Sequence, residues 1–177
     1  MMTRRALAVL LFALSFGAMP QLAAQNKPAA HWRAASEAEL EAALPARAPV
    51  ENERIETEMR SATGITDGHG HMVAAVVLIT AGYAANGKYS HYLLTQTPLR
   101  IGTDILLQPG AYVVGWTRNT DGLLVHVYDA ATGHERGSTT ARLSTPPLPV
   151  VPIKIWSPVE KSVIQIGRFV LPYALQN

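Results

Sequence analysis

From Arg54 onward, hydrophobic and polar residues follow the two-residue period of β-strands rather than the 3.6-residue period of helices. Ile55, Thr57 and Met59 alternate with charged residues, which predicts a half-exposed strand. Met72–Ala81 (MVAAVVLITA) is an unbroken apolar run, as expected for a strand covered on both faces. Asn86-Gly87 has the residues of a two-residue hairpin turn, because both central positions of a type I′ turn require positive φ. That turn predicts pairing of the apolar run with Tyr89–Thr95. Short strands follow at Leu99–Ile101 and Ile105–Leu107, then Pro109-Gly110 in the order of a type II turn.

In Ala111–Arg118 the alternation sets Tyr112, Val114 and Trp116 on one face and Ala111, Val113 and Gly115 on the other. Asp121-Gly122 turns the chain into Leu123–Asp129, with Leu123, Val125 and Val127 expected inside and His126 and Tyr128 outside. A more polar strand covers Glu135–Leu143. Residues 144–152 (STPPLPVVP) contain four prolines, which cannot donate to a ladder, so this stretch predicts a stiff crossing. Two last strands lie near Ile153–Trp156 and Ser162–Phe169. About eight or nine short strands with closely spaced turn signals predict an all-β fold, an antiparallel β-sandwich over residues 54–177.

The N-terminal pattern is different. Met1–Arg5 has two arginines and no acid, Ala6–Met19 is largely apolar, and Leu22-Ala23-Ala24 ends in the small residues that signal peptidase accepts. Residues 1–24 are therefore expected to be a signal peptide cleaved after Ala24, with a periplasmic or extracellular product. The apolar run is shorter than the roughly 20 residues of a membrane span, so no transmembrane anchor is expected after cleavage. Residues 25–53 predict a linker with one short acidic helix. Ser36 and Glu39 form a capping box, Leu40, Ala43 and Leu44 supply an apolar stripe, and Pro45 stops the helix.

Charge changes the picture mainly by exclusion. The chain has 15 Lys+Arg and 13 Asp+Glu, but Arg4 and Arg5 belong to the expected leader, so the remainder is balanced. A neutral chain has no electrostatic basis for nucleic-acid binding, and none is expected. Residues 37–60 hold seven acids and three arginines, whereas residues 61–177 hold six acids and eight bases. Cysteine is absent, which removes disulfides, thiolate ligands and lipid attachment at the cleavage site.

Two groups of residues could carry chemistry. In Asp67-Gly68-His69-Gly70-His71, two histidines at i and i+2 project to the same side of an extended chain, and His91 could supply a third zinc or copper ligand. Pairing across the Asn86-Gly87 turn would instead set His71 and His91 near opposite ends of the hairpin. Tyr112 and Trp116 could stack against a sugar, although aromatic residues on strands more often pack in the core. Gly82–Tyr89 matches G-x-x-x-x-G-K, but Tyr89 stands where Ser or Thr would hold magnesium and a strand follows where a helix is needed. Neither G-x-S-x-G nor H-E-x-x-H occurs.

Leu107-Gln108-Pro109-Gly110-Ala111-Tyr112 resembles the L-x-P-G-x-Y turn of transthyretin-like and carboxypeptidase-regulatory-like β-sandwich modules. The resemblance implies a core strand with the tyrosine packed near the sheet end, and implies no activity. From Val73 onward the chain also resembles small uncharacterised exported bacterial β-proteins, which implies fold and compartment only. The leading expectation is an exported, non-enzymatic protein with a binding or envelope-structural role. A metal-binding protein or metal-dependent hydrolase using His69 and His71, and a carbohydrate-binding module, are the alternatives. Exposed edge strands would also permit self-association.

Overall fold

The computed structural model describes residues 31–83 and 88–176. The expected leader and the Asn86-Gly87 turn lie outside these residues.

The chain opens with β1 (Arg33–Ala34), helix α1 (Glu37–Ala43), β2 (Arg47–Val50), β3 (Glu53–Thr66), β4 (Met72–Leu78) and β5 (His91–Thr95). It continues through β6 (Leu99–Ile101), β7 (Ile105–Leu107), β8 (Gly110–Arg118), β9 (Leu123–Asp129) and β10 (Glu135–Leu143). The last elements are β11 (Val151–Ile155), the single-turn helix α2 (Pro158–Lys161), β12 (Val163–Gly167) and β13 (Phe169–Leu175). The order across the sheet is β1-β3-β4-β5-β8-β9-β10-β13-β12-β11, with β2 on β3, and with β6 joining β13 to β7. Every pairing among the described residues is antiparallel. The sheet is nearly closed into a barrel-like sandwich. At the closing seam the Ile155 amide donates to the Thr63 hydroxyl at 3.1 Å, a side-chain bond where a ladder would have a backbone one.

Two apolar layers hold this sheet. The interior takes Val73 and Ala75 from β4, Leu93 from β5, Tyr112 and Val114 from β8, Val125 and Val127 from β9, and Ile164 and Ile166 from β12. The opposite face of β4, β5 and β8 carries Met72, Ala74, Val76, Tyr92 and Val113, and is covered by Leu40 and Leu44 of the α1 segment and by Ala48 and Val50 of β2. Met72–Leu78 is apolar throughout because it lies between these two layers. Gly64 lets α1 come close, since a Cβ there would sit 2.9 Å from Leu40 Cδ2.

The stretch expected as a linker therefore contributes β1 and β2 to the sheet and α1 to its outer cover. The capping box forms as its sequence implies. Ser36 Oγ accepts from the Glu39 amide, and the Glu39 carboxylate accepts from the Ser36 amide at 2.8 Å. Hydrogen bonds from the Arg33 guanidinium, then from Ser36, hold the Glu39 carboxyl down at about 2. β2 and β3 meet at a tight turn in which Glu51 takes φ 52°, a region that residues with a Cβ rarely adopt. Its carboxylate accepts a short hydrogen bond from the Tyr89 hydroxyl, and Lys88 Nζ lies 3.6 Å away.

β4 pairs with β5 as expected, although the strands are bounded at Leu78 and His91 rather than at Ala81 and Tyr89. β12 and β13 are separate strands divided at Gly167 (φ 61°), where the alternation alone suggested one.

Candidate functional site

One end of the barrel is open. The C-terminal ends of β4, β8 and β12 and the N-terminal ends of β5, β9, β11 and β13 meet around a cavity of about 750 Å³. Its wall is mostly apolar, with Val77, Leu123, Ile166 and Phe169 contributing. Trp116 lines it from β8, and Arg118 stands at the rim, exposed to solvent. Backbone geometry brings the start of β5 close to β8 here. A Cβ on Gly115 would lie 2.1 Å from the Lys88 carbonyl oxygen, so only glycine lets the two chains approach. The Ser90 amide then donates to the Val114 carbonyl at 2.8 Å.

His91 forms the floor. It pairs with Val77 of β4 and Val114 of β8, and its side chain is 2% exposed. His91 lines both the mouth cavity and a void of about 20 Å³ whose other lining residues are all apolar, but both of its ring nitrogens are sealed from solvent. A water in that void would need two to four polar partners and would find none. Neither ring nitrogen has a hydrogen-bond partner. Burial pushes its pKa down to about 4, against the Pro152 backbone, which acts in the opposite sense. At neutral pH the ring is therefore uncharged, with one N–H donor and one bare nitrogen acceptor. Trp116 covers one ring face, with centroids 5.0 Å apart and planes inclined by 32°.

The residues expected to act together are distributed differently. Val77 pairs with His91, whereas Thr66 at the other end of the β3–β4 hairpin pairs with Met72. Six residues of strand, roughly 20 Å at 3.3 Å per residue, therefore separate His71 from His91. His69 and His71 lie exposed in the β3–β4 turn. His71 Nδ1 is engaged by Asp67 Oδ2 at 2.6 Å, while Asp67 Oδ1 accepts from the His69 and His71 amides at 2.7 and 3.1 Å. Desolvation raises the Asp67 pKa, but these bonds outweigh it and hold the carboxyl at about 2. No group of three or more His, Cys, Asp or Glu converges among the described residues, so the three histidines are not brought together.

Tyr112 is 5% exposed and points into the barrel. Its hydroxyl donates to the Gln108 carbonyl at 2.8 Å, back across its own Pro109-Gly110 turn. It is a core residue rather than a surface platform. Trp116 is half-buried and faces the cavity. Two residues expected to serve different sites, His91 and Trp116, thus share one.

Sequence reasoning missed Arg118. It has no ion-pair partner among the described residues, and its guanidinium carbon lies 5.6 Å from the Phe169 ring centroid. Among the described residues it is the only charged one in the cavity lining. Its signal was an arginine ending the strand that carries Trp116 on the same alternating face. Among the described residues no helix is long and apolar enough to cross a membrane. Comparison of the chain with protein-family models, with curated proteins and with solved structures finds no match.

Proposed function

We propose that this is an exported, non-enzymatic binding protein that holds a small, largely apolar ligand in the mouth of its barrel. The observation that carries the reading is the mostly apolar cavity of about 750 Å³ at the open end of the barrel, with Trp116 in its wall and Arg118 at its rim. A volume of about 750 Å³ lies within the roughly 300–1,000 Å³ of small-molecule pockets, which are mostly apolar with a few placed polar groups. Binding is favoured over turnover because Ser90 and His91, though both at the cavity, form no hydrogen-bonded nucleophile–base pair.

The test is titration with the fluorescent probe 1-anilinonaphthalene-8-sulfonate, followed by two-dimensional NMR of the same sample. Saturable uptake of about one probe per chain, with shifts centred on the Trp116 indole and the Ser90 and Gly167 amides, supports the proposal. Val150→Trp, a change at an exposed rim position, should weaken that uptake. Absence of saturable binding, or shifts centred elsewhere, would sink it.

A further inference from the structure

We infer that the open end of the barrel docks on an anionic lipid surface, with Leu143 and Val150 entering the headgroup layer and Arg118, Arg142 and Arg168 binding lipid phosphates. The inference rests on the rim of the cavity and not on a ligand inside it, so it goes beyond the binding reading above.

Charge is segregated in this chain although it balances overall outside the expected leader. Residues 136–177 hold five bases and a single acid, Glu160. Strand pairing carries part of that excess to the barrel mouth. Arg142 pairs with Val170 and Leu143 with Phe169, so the Arg142-Leu143 and Arg168-Phe169 steps run side by side at the end of β10 and the start of β13. The Ser144 amide donates to the Arg168 carbonyl at 3.2 Å and ties the two segments together beyond the ladder. Arg118 reaches the same arc from the end of β8, through Leu123 of β9, which pairs with both Arg118 and Ala141. All three arginines are exposed, and none has an ion-pair partner among the described residues. The acid of this arc is Asp121 in the β8–β9 turn, so three cations stand against one anion.

Apolar side chains stand among these cations. Leu143 is 62% and Val150 65% exposed. Val150 lines the apolar cavity, and Leu143 lies opposite Phe169 in the cavity wall. An anionic lipid surface meets both features at once, with phosphates at the level of the guanidinium groups and acyl chains beneath them. The guanidinium fork also matches a phosphate in two-pronged fashion. A nucleic acid would satisfy the arginines and leave Leu143 and Val150 in water. A soluble protein partner gives no reason for charge of one sign around an apolar opening.

The chain has no cysteine, so single cysteines can report which surface touches a bilayer. Leu143→Cys, Val150→Cys and Val159→Cys are each labelled with an environment-sensitive dye; Val159 is exposed in α2, at the opposite end of the barrel. Each protein is titrated with vesicles of phosphatidylglycerol and phosphatidylcholine, and with vesicles of phosphatidylcholine alone. On the anionic vesicles the labels at 143 and 150 should shift to the blue and be quenched by brominated acyl chains, and the label at 159 should do neither. Arg142→Gln and Arg168→Gln should each weaken binding by about fivefold, the scale for one cation at a charged membrane. Raising the salt concentration should weaken it further. Attachment through the apolar run Ala6–Met19 would leave the labels at 143 and 150 unchanged, and overturns the inference. So do equal responses at 143 and 159, equal binding to the two vesicle types, or unchanged affinity in both arginine variants. Absence of vesicle binding overturns it as well and leaves this face to a protein partner. The probe titration of the cavity uses no vesicles, so the binding reading stands or fails separately.

Discussion

The two ends of the β4–β5 hairpin hold histidines in opposite circumstances. At the β3–β4 turn, Asp67 accepts from the backbone of His69 and His71 and grips the His71 ring, and Thr66 Oγ1 accepts from the Gly68 amide. Each bond there closes the loop on itself. At the barrel mouth, His91 is far more deeply buried and has no hydrogen bond at either nitrogen. A satisfied polar cluster in water stabilises a turn, whereas a buried imidazole without partners destabilises the fold that buries it. The region that looked chemically richer in sequence is the structural one.

Acid titration should give the largest separation between the two ends. His91 is held near 4 in the folded chain against an ordinary value of 6.5, so folding favours its neutral form. Above pH 6.5 both states are neutral and the group contributes nothing to the pH dependence. As pH falls from 6.5 towards 4 the unfolded chain takes up a proton that the folded chain refuses. Urea denaturation should therefore lose about 3 kcal/mol of stability across that window, a loss that His91→Leu removes. At pH 7.5 the same variant should be at least as stable as the parent, because an unpaired polar group is replaced by an apolar one of similar size. A destabilised His91→Leu protein at that pH would mean that the imidazole is satisfied after all.

Asp67→Ala should act in the opposite sense at neutral pH, destabilising the fold by about 1–2 kcal/mol in the same assay. Because the Asp67 carboxyl is held at about 2 in the folded chain, below its ordinary 3.8, its contribution is present above pH 3.8. It is lost as pH falls from there towards 2, below the His91 window. The smallest effect belongs to His69→Ala. That ring is exposed and only its backbone amide takes part in the loop, so thermal unfolding should move by no more than the equivalent of about 0.5 kcal/mol.

Local signals carried well into three dimensions where one neighbour or one turn decides the outcome. β6 and β7 occupy the spans their alternation implied, β8 divides its faces as Tyr112 and Val113 suggested, and α1 starts at the Ser36 capping box. The failures have physical causes of another kind. β2 and β13 lie where no alternation was read, and they contain Pro49 and Pro172, each tolerated in its antiparallel ladder. The β2–β3 turn uses Glu51 at positive φ, held by Tyr89, Lys88 and the Ala130 carbonyl, none of them a local neighbour. The site was legible only in fragments. His91 and Trp116 each stood out, but their stacking depends on the β5–β8 register, and that register depends on Gly115 admitting the Lys88 backbone.

The order of apolar and polar residues by itself determined an all-β, antiparallel chain and the inward face of most of its strands, because side-chain alternation is a property of each strand alone. Which strands share the open end, and therefore that His91, Trp116 and Arg118 surround one cavity, was decided by tertiary structure. Those residues are joined through pairings between segments far apart in the chain, and through closure of β11 against β3 at Thr63. The burial that leaves His91 without a partner is a sum over strands from both halves of the barrel, and no local pattern encodes such a sum.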